Sequence, residues 1–158
     1  RVIGLDFVKD RLAFAKKFGV DMTFDVSAMS EADIIRAVRQ ASPPDGADIC
    51  IEVCGQPNVV ATGIEMLRTG GRYIICGLVN PKANLTIDGN LILRKMITVK
   101  GVHNYHPRQL IQALDFVLTN RKLYPFAEIV DSKFSLDQLD EAFTYAAERS
   151  ILRAAIVP

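Results

Sequence analysis

The sequence predicts an α/β fold built on a doubly wound sheet of parallel strands, and two observations predict it. Over residues 1–102, short apolar runs that end in Asp or Gly alternate with amphipathic segments of helical period. Each segment between two runs is long enough for one helix, as a connection between parallel strands requires. After residue 102 this alternation stops, so we expect a tail of helices and strands to follow the sheet.

The first unit of the alternation is a strand, a helix and a second strand. Val2–Leu5 is an apolar run that ends at Asp6. Residues 9–18 place apolar side chains at helical spacing and stop at Gly19, and Met22–Phe24 begins the next strand.

Further strands and helices follow in the same order. Ser30 has the side chain of a helix N-cap, and the helix that it begins is expected to end in the loop Pro43–Gly46. The pattern then predicts a strand over Asp48–Val53, a helix over 58–68 stopped by Gly70-Gly71, and strands over Arg72–Gly77 and Ile97–Lys100.

The tail begins where the segment HNYHP interrupts the pattern. Pro107 suits the first position of a helix, and Ser135 with Gln138 forms a capping box at the start of another. Strand-like runs lie at Ala127–Val130 and Ala154–Val157.

Composition excludes several classes of protein. Lys and Arg number 19 against 18 Asp and Glu, and no block of like charge indicates a nucleic-acid or membrane-surface partner. No apolar run approaches the ~20 residues of a spanning helix, and we expect a cytoplasmic protein. Cys50, Cys54 and Cys76 lie in apolar stretches without a CxxC pair, which predicts buried thiols and no metal site.

Candidate binding residues follow the strands, because ligands of open parallel sheets bind at the carboxyl ends of the strands. Asp6 is placed to accept hydrogen bonds from the ribose hydroxyls of a dinucleotide and to repel a 2′-phosphate, which favours NAD over NADP. Gly55 and Gly77 each end a strand and would let a ligand approach the backbone. An ordinary helix-opening Asp and plain turn glycines are the alternatives at these positions.

Motifs of other chemistries are missing from the sequence. It contains no GxGxxG, GxSxG, HExxH or lysine-containing phosphate loop. His103 and His106 lack Cys or carboxylate partners at ligand spacing, so we interpret them as loop residues near a ligand.

Five segments together carry a family resemblance. VIGLDFVKDRLAFAKKFGVD, GADICIEVCG, LRTGGRYIICGL, ITVKGVHNYHP and SILRAAIVP resemble, in order, the Rossmann-like cofactor domain and C-terminal tail of the zinc-type alcohol dehydrogenases, the medium-chain dehydrogenase/reductase family. The HNYHP segment is also loosely similar to a subgroup associated with phosphonate catabolism.

The resemblance implies a cofactor-binding role for twelve residues. Asp6 matches the ribose-binding acid, Arg11 a basic residue beside the adenosine ribose, and Arg153 an arginine at the pyrophosphate. The matching cofactor-lining segments are Val53, Cys54 and Gly55, and those at the nicotinamide carboxamide are Cys76, Gly77, Leu78, Val102, His103 and Asn104.

The resemblance also implies what this chain does not carry. In that family the zinc ligands, the proton relay and the GxGxxG loop lie upstream of the part matched here. We therefore expect residues 1–102 to be a dinucleotide-binding domain without its first strand, 103–158 to be the tail of a catalytic domain, and the natural protein to extend upstream of Arg1. No catalytic or metal-binding residue is assigned, and the chain alone is predicted to be inactive.

The first strand of the family's dinucleotide-binding domain, which no segment of this chain matches, would lie between the strand ending at Asp6 and the strand ending at Val53. Two exposed inner edges favour aggregation, so we expect direct pairing across the gap, a strand borrowed from a second copy, or a longer protein. The resemblance also implies a homodimer formed near Asn84–Asp88 and Ile97–Lys100, with strand exchange as one possible form.

Three alternatives to an NAD-dependent alcohol dehydrogenase stay open. A zinc-free quinone or enoyl reductase of the same superfamily would differ in its upstream residues. An adenosylmethionine-dependent methyltransferase also uses an acid after its second strand, and preferential binding of adenosylmethionine would reveal it. The third is a non-catalytic fold remnant or oligomerisation module.

Overall fold

The computed structural model describes residues 1–158 and contains seven strands and six helices. The strands are β1 (Ile3–Asp6), β2 (Met22–Asp25), β3 (Ala47–Glu52), β4 (Leu67–Ile75), β5 (Thr98–Gly101), β6 (Ser132–Ser135) and β7 (Ala154–Val157). The helices are α1 (Lys9–Lys16), α2 (Glu31–Ala41), α3 (Val59–Met66), α4 (Gly89–Lys95), α5 (Pro107–Asn120) and α6 (Leu139–Glu148), with 3-10 turns at Phe126–Ile129 and Leu136–Gln138. None of the helices combines the length and apolar character needed to cross a membrane.

All strand pairs are parallel, which confirms the predicted α/β class. The ladders run β1-β2, β3-β4-β5 and β6-β7. β1 pairs only with β2 and β3 only with β4, so the direct pairing that was one expected way to close the gap is not made. Strand exchange and a longer protein stay predictions.

The chain forms two compact units. One combines residues 1–25 with His106–Pro158, and the other is Val26–Tyr105. The first unit therefore takes its residues from both ends of the sequence. The division predicted after residue 102 concerns the domains of a longer parent and stays a prediction.

The core of the unit Val26–Tyr105 lies between α3 and the three-stranded ladder. Val60, Ile64 and Leu67 are fully buried, and Tyr73 and Ile97 complete the cluster. Burial raises the pKa of the Tyr73 phenol above its ordinary value. Packing of these side chains fixes the carboxyl ends of β3 and β4 on a rigid base.

The other unit has an aromatic cluster as its main packing feature. Phe18 lies 5.4 Å from Phe14, 5.8 Å from Tyr124 and 5.6 Å from Phe126, measured between ring centroids. Edge-to-face and offset pairs of this kind stabilise a fold beyond their buried area. The cluster joins the end of α1 to the chain that follows α5.

Local capping signals are confirmed. The Ser30 hydroxyl oxygen accepts the Asp33 N–H at 3.2 Å, and this same hydroxyl is the main reason why the pKa of Asp33 lies below its ordinary value. Pro107 is the first residue of α5. The capping box of Ser135 and Gln138 forms as predicted, although it opens a 3-10 turn before α6 begins.

Two local predictions are wrong, and one helix was not predicted. α3 ends at Met66 and β4 already begins at Leu67, so Gly70-Gly71 lies inside a strand at an irregular register instead of stopping the helix. The run Ala127–Val130 falls largely in a 3-10 turn, because Phe126 packs into the aromatic cluster, and Ser132–Ser135 pairs with β7 instead. α4 was not predicted; Asp88 caps this short helix by accepting the Asn90 N–H at 2.9 Å.

Candidate functional site

Two of the predicted cofactor-binding segments meet at the carboxyl ends of β3 and β4. A Cβ atom on Gly77 would lie 2.6 Å from the Gly55 nitrogen and 2.7 Å from the Val53 carbonyl carbon. Gly55 itself has a φ of +75°, a conformation that favours glycine. The two turns are therefore in backbone-to-backbone contact. Plain turn glycines, the alternative interpretation of the sequence, would not require such a contact.

Glu52 holds these two turns together, and the sequence reasoning missed it. Its side chain carries two hydrogen bonds: Oε1 accepts the Gly55 N–H at 2.6 Å, and Oε2 accepts the Gly77 N–H at 3.0 Å. Its backbone carbonyl also accepts the Cys76 N–H at 2.9 Å. The available signal was its position, since Glu52 is the only charged residue in the run ICIEVC and acids are seldom fully buried without partners.

The other predicted residues of this unit lie beside the same strand ends. Leu78 packs against the core cluster, and the Val102 N–H donates to the Ile75 carbonyl at 2.9 Å. His103 and Asn104 are exposed. β5 thus continues the row of strand ends formed by β3 and β4.

The prediction that all three cysteines are buried is wrong. Cys54 is exposed because it stands in the turn after β3, while Cys50 and Cys76 are half-buried, and all three are free thiols. Burial raises the pKa of Cys50 to about 11. The pKa of Cys54 is also raised, first by partial burial and further by Glu52, so neither environment favours a thiolate.

In the other unit, Asp6 is the last residue of β1. Its Oδ1 accepts the Val8 N–H at 2.9 Å, which fixes the carboxylate at the strand end. The next residue, Phe7, is 48% exposed, and the Arg149 guanidinium lies 4.5 Å from its ring centroid. The carboxyl end of β1 therefore presents an acid followed by an aromatic ring with a stacked cation.

Arg11 and Arg153, both predicted as cofactor-binding residues, line one cavity of about 390 Å³. Its other lining residues, Ala146, Ile151, Leu152 and Ala154, carry no charge. A cavity with two guanidinium groups and no acid is suited to an anionic ligand.

Asp131 fixes the backbone from which Arg153 projects. Its carboxylate accepts the Leu152 N–H at 2.8 Å and the Arg153 N–H at 3.2 Å. Partial burial acts to raise the pKa of Asp131, but these N–H donors outweigh it and hold the pKa below its ordinary value. Arg153 is therefore presented by an anchored segment.

The side chains contain no group of three or more His, Cys, Asp or Glu residues that could hold a metal ion. His106 is the N-cap of α5, where its Nδ1 accepts the Arg108 N–H at 3.2 Å. The residues of this chain consequently do not fit the zinc ion that the family resemblance places in the parent protein.

Comparisons with known proteins agree with this architecture. The family model for zinc-binding dehydrogenases matches residues 1–119. A curated protein named probable D-xylulose reductase A, from Aspergillus clavatus, is 34% identical over 124 residues, which are 77% of this chain and 34% of that protein.

Solved structures show the same fold. An alcohol dehydrogenase from Thermotoga maritima superposes with a TM-score of 0.90 at 22% identity, over 100% of this chain and 43% of that one. A protein described as a zinc-binding dehydrogenase from Sinorhizobium meliloti, bound to NADP, gives a TM-score of 0.84 at 24% identity over 99% of this chain and 45% of its own. The chain thus spans less than half the length of these relatives, and by its sequence it belongs to the zinc-binding dehydrogenase family.

Proposed function

We propose that this chain is the NAD(H)-binding part of an oxidoreductase that transfers a hydride between nicotinamide and an alcohol or carbonyl substrate. The observation that carries the proposal is the cavity of Arg11 and Arg153, in the same unit as the strand-end carboxylate of Asp6. Those are the two chemistries that a dinucleotide needs, since guanidinium groups bind phosphates and an acid binds ribose hydroxyls.

The glycine turns of the unit Val26–Tyr105 are a separate feature that suits a nicotinamide group. Glu52 accepts the Gly55 and Gly77 N–H groups, and the other backbone groups of these two turns would be offered to a planar polar group such as a carboxamide. When bound, the nicotinamide ring supplies the hydride acceptor or donor. The residues of this chain would bind and orient it.

A preference for NAD over NADP is expected from Asp6. A carboxylate at the ribose accepts hydrogen bonds from hydroxyls and repels a 2′-phosphate. We expect isothermal titration calorimetry to show NAD binding at least roughly tenfold tighter than NADP, with Asp6→Ser weakening NAD by roughly tenfold and reducing the difference.

Asp10→Ser is the matched control for that experiment, because Asp10 is an exposed carboxylate in the first turn of α1. It should leave both affinities unchanged. Equal affinities of the unchanged chain for NAD and NADP would refute the preference, and no binding of either would refute the proposed function.

We propose that turnover belongs to a longer parent protein and that this chain alone is inactive. The ground is the missing donor set for a metal ion among its His, Cys, Asp and Glu side chains. In the parent, zinc would act as a Lewis acid on the substrate oxygen. A cytoplasmic location is part of the same proposal.

A homodimer through β5 is the proposed assembly. β5 pairs only with β4, and all four of its residues are exposed, so its second edge is available to another strand. Light scattering should give twice the 17.5 kDa chain mass, and Val99→Pro should shift the protein toward monomer because Pro cannot donate to a ladder.

Glu31→Pro is the control for that substitution, because Glu31 is exposed and is the first residue of α2, a position where proline is tolerated. A monomer at all concentrations would contradict the assembly. A dimer unaffected by Val99→Pro would point instead to strand exchange at the unpaired edge of β1 or of β3.

A further inference from the structure

We propose that Glu52 is a positioning residue that holds the turns after β3 and β4 at one fixed spacing, so that their backbone groups can receive the nicotinamide end of the cofactor. The inference rests on the proposed function and names a residue that none of the sequence patterns assigned. Glu52 acts through Gly55 and Gly77 and need not touch the ligand.

The hydrogen bonds show how one side chain controls both turns. Each carboxylate oxygen accepts a hydrogen bond from one of the two turns. Oε1 accepts the Gly55 N–H at 2.6 Å, and Oε2 accepts the Gly77 N–H at 3.0 Å. The Gly77 N–H is also directed at the Glu52 backbone carbonyl, 3.1 Å away. Two segments that are far apart in sequence are thus tied to a single residue at the end of β3.

Burial strengthens the hydrogen bonds between Glu52 and the two turns. Glu52 is only 4% exposed, so the carboxylate has exchanged water for these N–H donors. Hydrogen bonds in which the acceptor is charged are roughly twice as strong as neutral ones. A buried carboxylate with both oxygens satisfied therefore resists any movement of either turn.

Neither Gln nor Asp, the residues most similar to Glu, could make both of these hydrogen bonds. Gln has the same shape but only one acceptor oxygen, so its NH₂ group would face one of the two backbone N–H donors. Asp keeps both acceptors but is one methylene shorter and cannot reach both turns from the same backbone. Glu52→Gln is therefore the sharper test, since it alters the hydrogen bonds without altering volume.

Positioning and general stability are separated by comparing NAD with ADP-ribose, which lacks the nicotinamide. In calorimetric titrations, we expect Glu52→Gln to weaken NAD by roughly tenfold and ADP-ribose by less than roughly twofold. Glu65→Gln is the matched control, because Glu65 is an exposed acid on α3 in the same unit. It should change neither affinity.

A second measurement does not need the cofactor. Amide hydrogen exchange, followed by NMR, should be slow at Gly55 and Gly77 and should accelerate by roughly tenfold or more at both in Glu52→Gln. The amide of Leu12, a buried residue of the other unit, should not change.

The outcomes are distinct. Equal weakening of NAD and ADP-ribose, or unchanged exchange at the two glycines, overturns the positioning role while the proposed function stands. If the unchanged chain binds neither ligand, the proposed function is refuted. The part of this inference that concerns the cofactor is then refuted as well. Selective loss of NAD together with faster exchange at both glycines supports it.

Discussion

Gly77→Ala should lower the free energy of unfolding by about 3 kcal/mol and abolish NAD binding. The added Cβ would lie 2.6 Å from Glu52 Oε1 and from the Gly55 nitrogen, and 2.7 Å from the Val53 carbonyl carbon. Two of these neighbours are backbone atoms and the third is a carboxylate held by two N–H donors, so no flexible side chain can give way. The turns must separate, and the hydrogen bonds of Glu52 must break with them.

Urea unfolding and calorimetric titration with NAD measure the two effects. Gly89→Ala is the control, because nothing lies within 4 Å of a Cβ at Gly89 and this residue opens α4, where Ala is favourable. The control should unfold at the same urea concentration as the unchanged chain or a higher one. An equal midpoint for Gly77→Ala would show that the two turns are not in close contact.

Much of the fold could be predicted because its signals are local. The Ser30 hydroxyl caps α2 through a residue three positions away, and Pro107 starts α5 through its own ring geometry. Strand class and direction followed from the alternation of apolar runs with helices, since parallel strands need such connections. These interactions join residues that are neighbours in the sequence.

The wrong predictions concern elements that distant residues decide. The strand of the tail lies at Ser132–Ser135 because Ala154–Val157 pairs with it, and nothing near residue 127 reveals that choice. β4 begins at Leu67 because Leu67 already pairs with Ala47 of β3, before the register shifts and Ile49 pairs with Arg72. A short-range pattern carries no information about either partner.

Some residues of the candidate site could likewise be predicted from local signals, and others could not. Strand-end positions such as Asp6, Gly55 and Gly77 follow from the sheet rule, and the structure brings Gly55 to Gly77. Arg11 and Arg153 were assigned only through the family resemblance, and the cavity that they share was not predicted, since the two residues lie near opposite ends of the chain. Glu52 was missed because a burial pattern does not show which N–H groups an acid will meet.

Gly63→Ala is the second substitution expected to have a large effect, and it tests the core under the site. A Cβ at Gly63 would overlap the Tyr73 ring at Cε2 and lie 2.9 Å from its hydroxyl oxygen. Tyr73 is 2% exposed and packs with Val60 and Ile64, so the ring has no space into which it could turn. We expect a loss of about 2–3 kcal/mol, even though Ala is the better helix former by about 1 kcal/mol.

A double-mutant cycle identifies the ring as the cause. Tyr73→Leu removes the aromatic edge that faces α3 and by itself destabilises the core. In that background Gly63→Ala should cost nothing or stabilise the protein by up to about 1 kcal/mol, because only the helix propensity is left. Tyr73→Phe keeps the clashing edge and should give no such relief. A cost for Gly63→Ala that is the same in the Tyr73→Leu background and the unchanged chain would mean that something other than the Tyr73 ring requires glycine on this face of α3.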